Sequence, residues 1–338
     1  MLCYHLSIER NEGLKMNNIT TANTKNFTEN YECALRIYRF NGALSAAAFA
    51  TMMIGRRPSW QADEERIRIA QRCVKANASV FSTLRSGYAR EMVCAAVASS
   101  SDPEVAIKNI VRIREMLKSG FLDNSGHDIA ACILYMSAEP SRYEELARKT
   151  MAIYSEVTGK HPVIAWGKDL TNLALLALSD KSAEQIASDL EDCYNALRAY
   201  YSNATAALYA ASALAWFNGD AESKALRTRE LHDELKKVRF HFASEGLEII
   251  ALMAGMFNAD CNAIINEMRE VSGALAGVKG LSSWGIGDKM RNMIAASICI
   301  DSFVADGIYA ALAKQVVLNL LCNRREDNDL AVMACTLM

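Results

Sequence analysis

Little in this sequence interrupts a helix. Four prolines and seventeen glycines serve 338 residues, while Ala, Leu, Ile and Met are abundant, which disfavours a sheet punctuated by tight turns and favours helices. No apolar run reaches the roughly 20 residues that a membrane span needs; the longest, ATAALYAASALAWF, covers 204–217. Basic excess is missing too. The formal net charge is -2, whereas a nucleic-acid binder needs a basic face because phosphate contacts supply most of its non-specific affinity. One basic stretch, LRTRELHDELKKVRFH at 226–241, contains Glu230, Asp233 and Glu234 and reads as a solvated helix face. Nucleic acid and membrane are therefore set aside as partners.

Signatures of chemistry are also missing. The histidines (His5, His127, His161, His232, His241) are widely separated, and no HExxH or Cys/His cluster suggests a metal. No P-loop and no GxGxxG after a strand offers a nucleotide site, and no GxSxG elbow offers acyl chemistry. Paired-carboxylate motifs for prenyl chemistry are absent, and SDLEDC at 188–193 falls on the charged side of an amphipathic helix. No metal or cofactor is expected. Ten cysteines stand singly, without CxxC, mostly among apolar neighbours; they read as small hydrophobes in a reducing cytoplasm. Four Asn-x-Ser/Thr sequons, at Asn18, Asn26, Asn77 and Asn203, matter only after secretion, and no secretory signal accompanies them.

What is present is a repeat. Ala-rich apolar blocks stop at acidic linkers marked by Asp102, Glu139, Asp180, Asp220 and Asp260, spaced 37, 41, 40 and 40 residues apart. Gly87, Gly126, Gly167, Gly246 and Gly287 open the blocks at spacings of 39, 41, 79 (two periods) and 41. Two independent rulers thus give one period of about 40 residues. An earlier copy runs from Gly42 through GRRPSWQADEE to Asn77.

Each unit begins with a short helix that is nearly all apolar, such as REMVCAAVA or LEIIALMAGMF, and such a helix must be buried on most sides. A longer amphipathic helix follows. Over 103–118, Val105, Ile107, Ile110, Ile113, Met116 and Leu117 are expected inward, with Lys108, Arg112 and Arg114 outward. Asp102-Pro103 marks a helix start, and Ser141-x-x-Glu144 and Ser182-x-x-Gln185 read as capping boxes. Short linkers make the two helices antiparallel neighbours, and one hairpin cannot bury its apolar face alone.

The fold expected is all-α: six to seven αα-hairpins of about 40 residues stacked as a right-handed superhelix (an α/α solenoid), with IYAALAKQVVLNLLCN as a C-terminal cap. Its apolar first-helix row must be covered, either by the array curling into a toroid or by a second copy in a homodimer. Residues 1–27, polar and rich in Asn and Thr, are expected to be loosely ordered, with Met16 an alternative start; 28–338 form a single domain.

The stretch VIAWGKDLTNLALLALSDKS at 163–182 is one copy of this repeat, its Trp-Gly-Lys-Asp the turn into a helix. Equal positions elsewhere carry Arg90 and Glu91, His127 and Asp128, Glu248, then Lys289 and Arg291. In a solenoid, equal register means one edge or face. Arg90, Glu91, His127, Asp128, Trp166, Lys168, Asp169, Trp284 and Lys289 are therefore the candidate ligand or partner contacts, a polar strip bordered by two tryptophans. His127 beside Asp128 is its one plausible acid/base pair. The bland reading of the same residues is that helix starts are wet and favour acids.

The segments VFSTLRSGYAREMVCAAVA (80–98), REMLKSGF (114–121), GKHPV (159–163), LLALSDKS (175–182) and LEDCYNALR (190–198) resemble a bacterial family catalogued as a domain of unknown function, number four thousand and three. The resemblance covers roughly residues 30 to 300. It implies an uncharacterised cytoplasmic helical protein without agreed catalytic residues, so no site is carried over. Ile164-Ala165-Trp166 and Lys168-Asp169 depart from the family's Leu-Thr and paired acids, and the block at 202–217 is more apolar than the family's.

Two functions follow. The favoured one is a non-catalytic interaction protein that binds a peptide or protein on its repeat surface. The other is a small-molecule-binding protein or enzyme with a pocket at the starts of the first-row helices. An open groove with solvated charges distinguishes the first, and one cavity with converging polar groups the second.

Overall fold

The computed structural model describes residues 16–38, 42–54, 63–78, 83–86, 89–118, 125–161, 170–243, 246–256 and 262–303. Trp166, Gly167, Lys168, Asp169 and the expected C-terminal cap lie outside them. Among the described residues the chain is all-α, with no strand.

Short apolar helices alternate with longer amphipathic ones. The short ones are α2 (Gly42–Met53), α5 (Arg90–Ala98), α7 (Ser125–Ser137), α9 (Leu170–Ala177), α11 (Ala204–Leu214) and α13 (Leu247–Met256). The longer ones are α3 (Glu64–Asn77), α6 (Pro103–Leu117), α8 (Tyr143–Lys160), α10 (Ala183–Arg198), α12 (Ala221–Lys237) and α14 (Asn262–Ala276). A single turn, α4 (Thr83–Ser86), precedes α5; α1 (Asn18–Ile37) is the first and α15 (Asp288–Phe303) the last helix among the described residues. Every residue of α9 is buried, as is Glu91 through Ala98 of α5, because an alanine- and leucine-rich helix has no face to give to water.

Contacts run in chain order. The short helices touch as α2–α5–α7–α9–α11–α13, and α13 touches α15; α3, α6, α8, α10 and α12 touch one another likewise. α1 packs on α2 and also reaches α14 and α15. Residues 18–27, expected to be loosely ordered, are instead the first half of α1: the Asn17 side chain caps the helix by accepting from the Thr20 N–H, and Thr20, Thr24 and Phe27 are buried.

Helix boundaries follow local chemistry. Asp102 accepts from the amides of Glu104 and Val105 ahead of Pro103, and Asp220 accepts from Ser223. Ser182 and Gln185 make both bonds of a capping box. Ser141 does not, because Pro140 starts a 3-10 turn one residue earlier and places Ser141 inside it, so α8 begins without a side-chain cap. In α6 the buried face is Ala106, Ile107, Ile110, Ile113, Arg114 and Leu117. Val105, expected inward, is 52% exposed: two residues around a helix is about 200°, so it cannot share a face with Ile107. Arg114, expected outward, is buried.

Candidate functional site

The helix starts of α5, α7 and α13 are largely dry. Glu91, His127, Asp128 and Glu248 are all buried, and burying a carboxylate is costly unless it is paired or hydrogen-bonded. Each acid has such company. Glu91 accepts from Ser45 of α2 at 3.3 Å and faces the Arg90 guanidinium at 3.0 Å. Asp128 is held by Arg114 Nε at 2.5 Å, and the same guanidinium donates to Thr83 at 3.3 Å. Glu248 accepts from Asn172 Nδ2 at 2.7 Å, and Asn172 also donates to Ser212 at 3.2 Å. Those last bonds tie α9, α11 and α13 together.

Of the predicted strip, Glu91, His127 and Asp128 are thus inside rather than displayed. Asp128, proposed as half of an acid/base pair with His127, is engaged by the arginine of a neighbouring helix. Arg291 is spent in the same way, on Ser272 at 3.1 Å, the Leu281 carbonyl at 3.2 Å and Asp288 at 2.7 Å. Of the candidates described, Trp284 and Lys289 remain in solvent, Trp284 at 100% exposure. The turn carrying Trp284 is braced by bonds from Gly285 and Gly287 to the Ser282 carbonyl.

Lys289 leads to a different place. It lines a hollow of about 400 Å³ between the starts of α11 and α13 and the C-terminal end of α12. Its walls are aromatic: Phe240 and Phe242 meet edge to face at 5.5 Å, and Tyr201 stacks on His232 at 5.7 Å with its hydroxyl 3.3 Å from Nδ1. Its rim is basic, with Lys236, His241 and Lys289. No carboxylate is among the described lining residues, although Asp233 lies 3.5 Å from Lys236. Burial pushes the Tyr201 hydroxyl up to about 12, with Asp233 adding to it. Burial holds His232 below the usual imidazole value, with Lys236 adding to that effect.

Two backbone features shape the hollow. After α12, Arg239 adopts a left-handed conformation (φ 56), its N–H bonded to the Lys236 carbonyl and the Phe240 N–H to that of Leu235. This Schellman ending turns Phe240 inward, where it is buried. Next, a Cβ on Gly246 would lie 2.2 Å from that of Phe242, so only glycine lets the chain fold this closely over the ring.

A larger groove of about 760 Å³ lies between α10 and α12. It is open, and three of its charges are committed elsewhere: Asp220 caps α12, Asp189 pairs with Lys181 at 2.7 Å, and Lys224 donates to the carbonyls of Leu214 and Phe217. The remaining described histidine, His161, pairs with Glu191 at 2.9 Å. Among the described residues no cluster of His, Cys, Asp or Glu could hold a metal, and no helix is long and apolar enough to cross a membrane. Six cysteines (Cys33, Cys73, Cys94, Cys132, Cys193, Cys299) are free and buried; burial pushes the Cys94 thiol up to about 12.

Residues 30–322 match the family described as a protein of unknown function (DUF4003). The chain belongs to that family. No curated protein and no solved structure matches it. The family match spans every helix that builds the hollow; the solvated face expected at 226–241 holds for Lys236 and His241, which are exposed, while His232 is half-buried against Tyr201. The overlooked signal was the pattern H-D-E-L-K-K-V-R-F-H-F at 232–242, in which two histidines and two phenylalanines flank the end of an amphipathic helix.

Proposed function

We propose that this chain is an α/α repeat array curled far enough to close on itself, and that it binds a small molecule in the hollow at the starts of α11 and α13. The closure is supported by α1, which touches α2 on one side and α14 and α15 on the other. The binding is supported by the hollow itself: ligand pockets have volumes of about 300–1,000 Å³ with apolar walls and a few polar groups, and this one has aromatic walls and a basic rim. The free buried cysteines fit a reducing compartment such as the cytoplasm.

A ligand-observed NMR screen with aromatic fragments tests the binding reading, using the wild type and Ser202→Trp. Ser202 lines the hollow and is exposed, so the indole fills the space without entering the core. Hits on the wild type that vanish in the variant support the reading; hits that persist unchanged sink it.

Binding of a protein or peptide on the repeat surface is the second reading, and the fully exposed Trp284 favours it, since tryptophan is enriched among the residues that dominate interfaces. Pull-down with wild type and Trp284→Ala separates the two: a partner lost only in the variant supports docking at that turn.

A further inference from the structure

We infer that the hollow takes an aromatic anion, a ring system bearing a sulfonate, carboxylate or phosphate group. This rests on the reading of the hollow as a ligand site, and names the chemistry of what it holds. The chain as a whole is slightly acidic, with net charge -2, yet three separate elements deliver cationic or proton-accepting groups to this one concavity: Lys236 from α12, His241 from the segment after it, and Lys289 from α15. No carboxylate is among the described lining residues, and the one beside them, Asp233, pairs with Lys236 at 3.5 Å, which leaves His241 and Lys289 as the groups that face the hollow without an acid in its lining.

The positive end of the α11 dipole adds to the same field, since its first turn carries no acid, unlike those of α13 (Glu248) and α15 (Asp288). α11 and α13 both begin at the hollow, through Asn203 and Leu247, and Lys289 stands in the first turn of α15. Anions are stabilised at helix N-termini by the partial positive charge there. Depth and rim differ in character. Phe240, which is buried, and its neighbour Phe242 offer ring edges and faces to an aromatic body. Both lysines are exposed, so their ammonium groups meet the ligand at the mouth. A ligand that satisfies both is flat and apolar at one end and negatively charged at the other.

The test compares two fluorescent probes that share a ring system, anilinonaphthalene sulfonate and neutral phenyl-naphthylamine, titrated into the full chain at low salt. Three proteins are used: wild type, Lys236→Gln/Lys289→Gln, and Ser202→Trp. Both lysines are exposed, so their loss leaves the core intact, and a circular-dichroism melt checks each variant. The expected result is that the double variant binds the sulfonate about tenfold more weakly, binds the neutral probe as the wild type does, and that Ser202→Trp loses both. If Ser202→Trp loses both probes while the lysine changes affect neither, the hollow is a ligand site and the anion inference is overturned. If Ser202→Trp binds both as the wild type does, the probes sit elsewhere and the reading of the hollow fails along with the inference.

Discussion

The hydroxyl of Tyr31 donates to the backbone carbonyl of Lys279 at 2.9 Å across 248 residues of chain. Tyr31 belongs to α1 and is fully buried, and burial pushes its hydroxyl up to about 12. Lys279 lies in the turn between α14 and α15, where Gly280, at φ +89, leaves no room for a Cβ, which would stand 2.5 Å from that hydroxyl. Two further bonds cross the same seam, from Asn23 to Asp301 at 3.0 Å and from the Asn17 amide to Glu267 at 2.9 Å. If this seam holds the two ends of the array together, Tyr31→Phe costs about 1–2 kcal/mol by leaving a polar group without its partner, and Gly280→Ala costs about 1–3 kcal/mol through strain and overpacking. Urea unfolding measures both. Values near zero for both would mean that α1 contributes little to the stability of the rest.

Arg114 and Asp128 make a buried pair between α6 and α7. Removing one member leaves the other charge dry, so Arg114→Met or Asp128→Leu alone is expected to cost about 3–5 kcal/mol, while the double substitution recovers most of that loss. A double-mutant cycle by chemical denaturation checks this. Additive single effects would show that the two residues act independently.

How far this was readable in the sequence follows from the same pair. The helix boundaries were legible because they depend on residues a few positions apart: Asp102 and Pro103 start α6, and Ser182 with Gln185 caps α10. Arg114 was misplaced because a charged side chain at the edge of an apolar stripe is read as solvent-facing unless its partner is known, and Asp128 sits on another helix. That Glu91, Asp128 and Glu248 stand at helix starts was legible, but their burial was not, since burial depends on how neighbouring helices close over them. The hollow was missed for a related reason. Its residues come from four helices and the segments between them, and they fall in two separate stretches, 200–206 and 232–250, with Lys289 apart from both.

Arg239 offers a test of local backbone strain. A left-handed residue with a Cβ costs about 1–2 kcal/mol relative to glycine, partly offset by glycine's larger entropy loss on folding. Arg239→Gly is therefore expected to stabilise the chain by about 0.5–1 kcal/mol while preserving the turn that buries Phe240. Gly246→Ala goes the other way, because the new methyl displaces Phe242 and with it one wall of the hollow. Thermal unfolding together with probe binding distinguishes the two substitutions: the first raises Tm and leaves binding alone, the second weakens binding. A drop in Tm for Arg239→Gly would show that the arginine side chain matters more than the backbone it occupies.

His232 is expected to make stability depend on pH in one sense and, if the hollow takes an anion, binding in the other. Its folded-state value is depressed by burial and by Lys236, below the ordinary 6.5; Asp233 works against this, and His241 works with it. The unfolded chain therefore binds more protons as pH falls below about 6.5, and stability declines from there down to the folded value, then levels off. Above pH 7.5 the contribution is flat. Replacing His232 with Asn removes that part of the slope, which Tm measured from pH 8 to pH 5 reads directly. An anion in the hollow reverses the preference, because a negative charge near the imidazole favours its protonated form. The sulfonate probe is then expected to bind more tightly at pH 5.5 than at pH 8, with proton uptake visible as a buffer-dependent heat in calorimetry, and His232→Asn flattens this trend. Tighter binding at high pH would place the probe's charge away from His232.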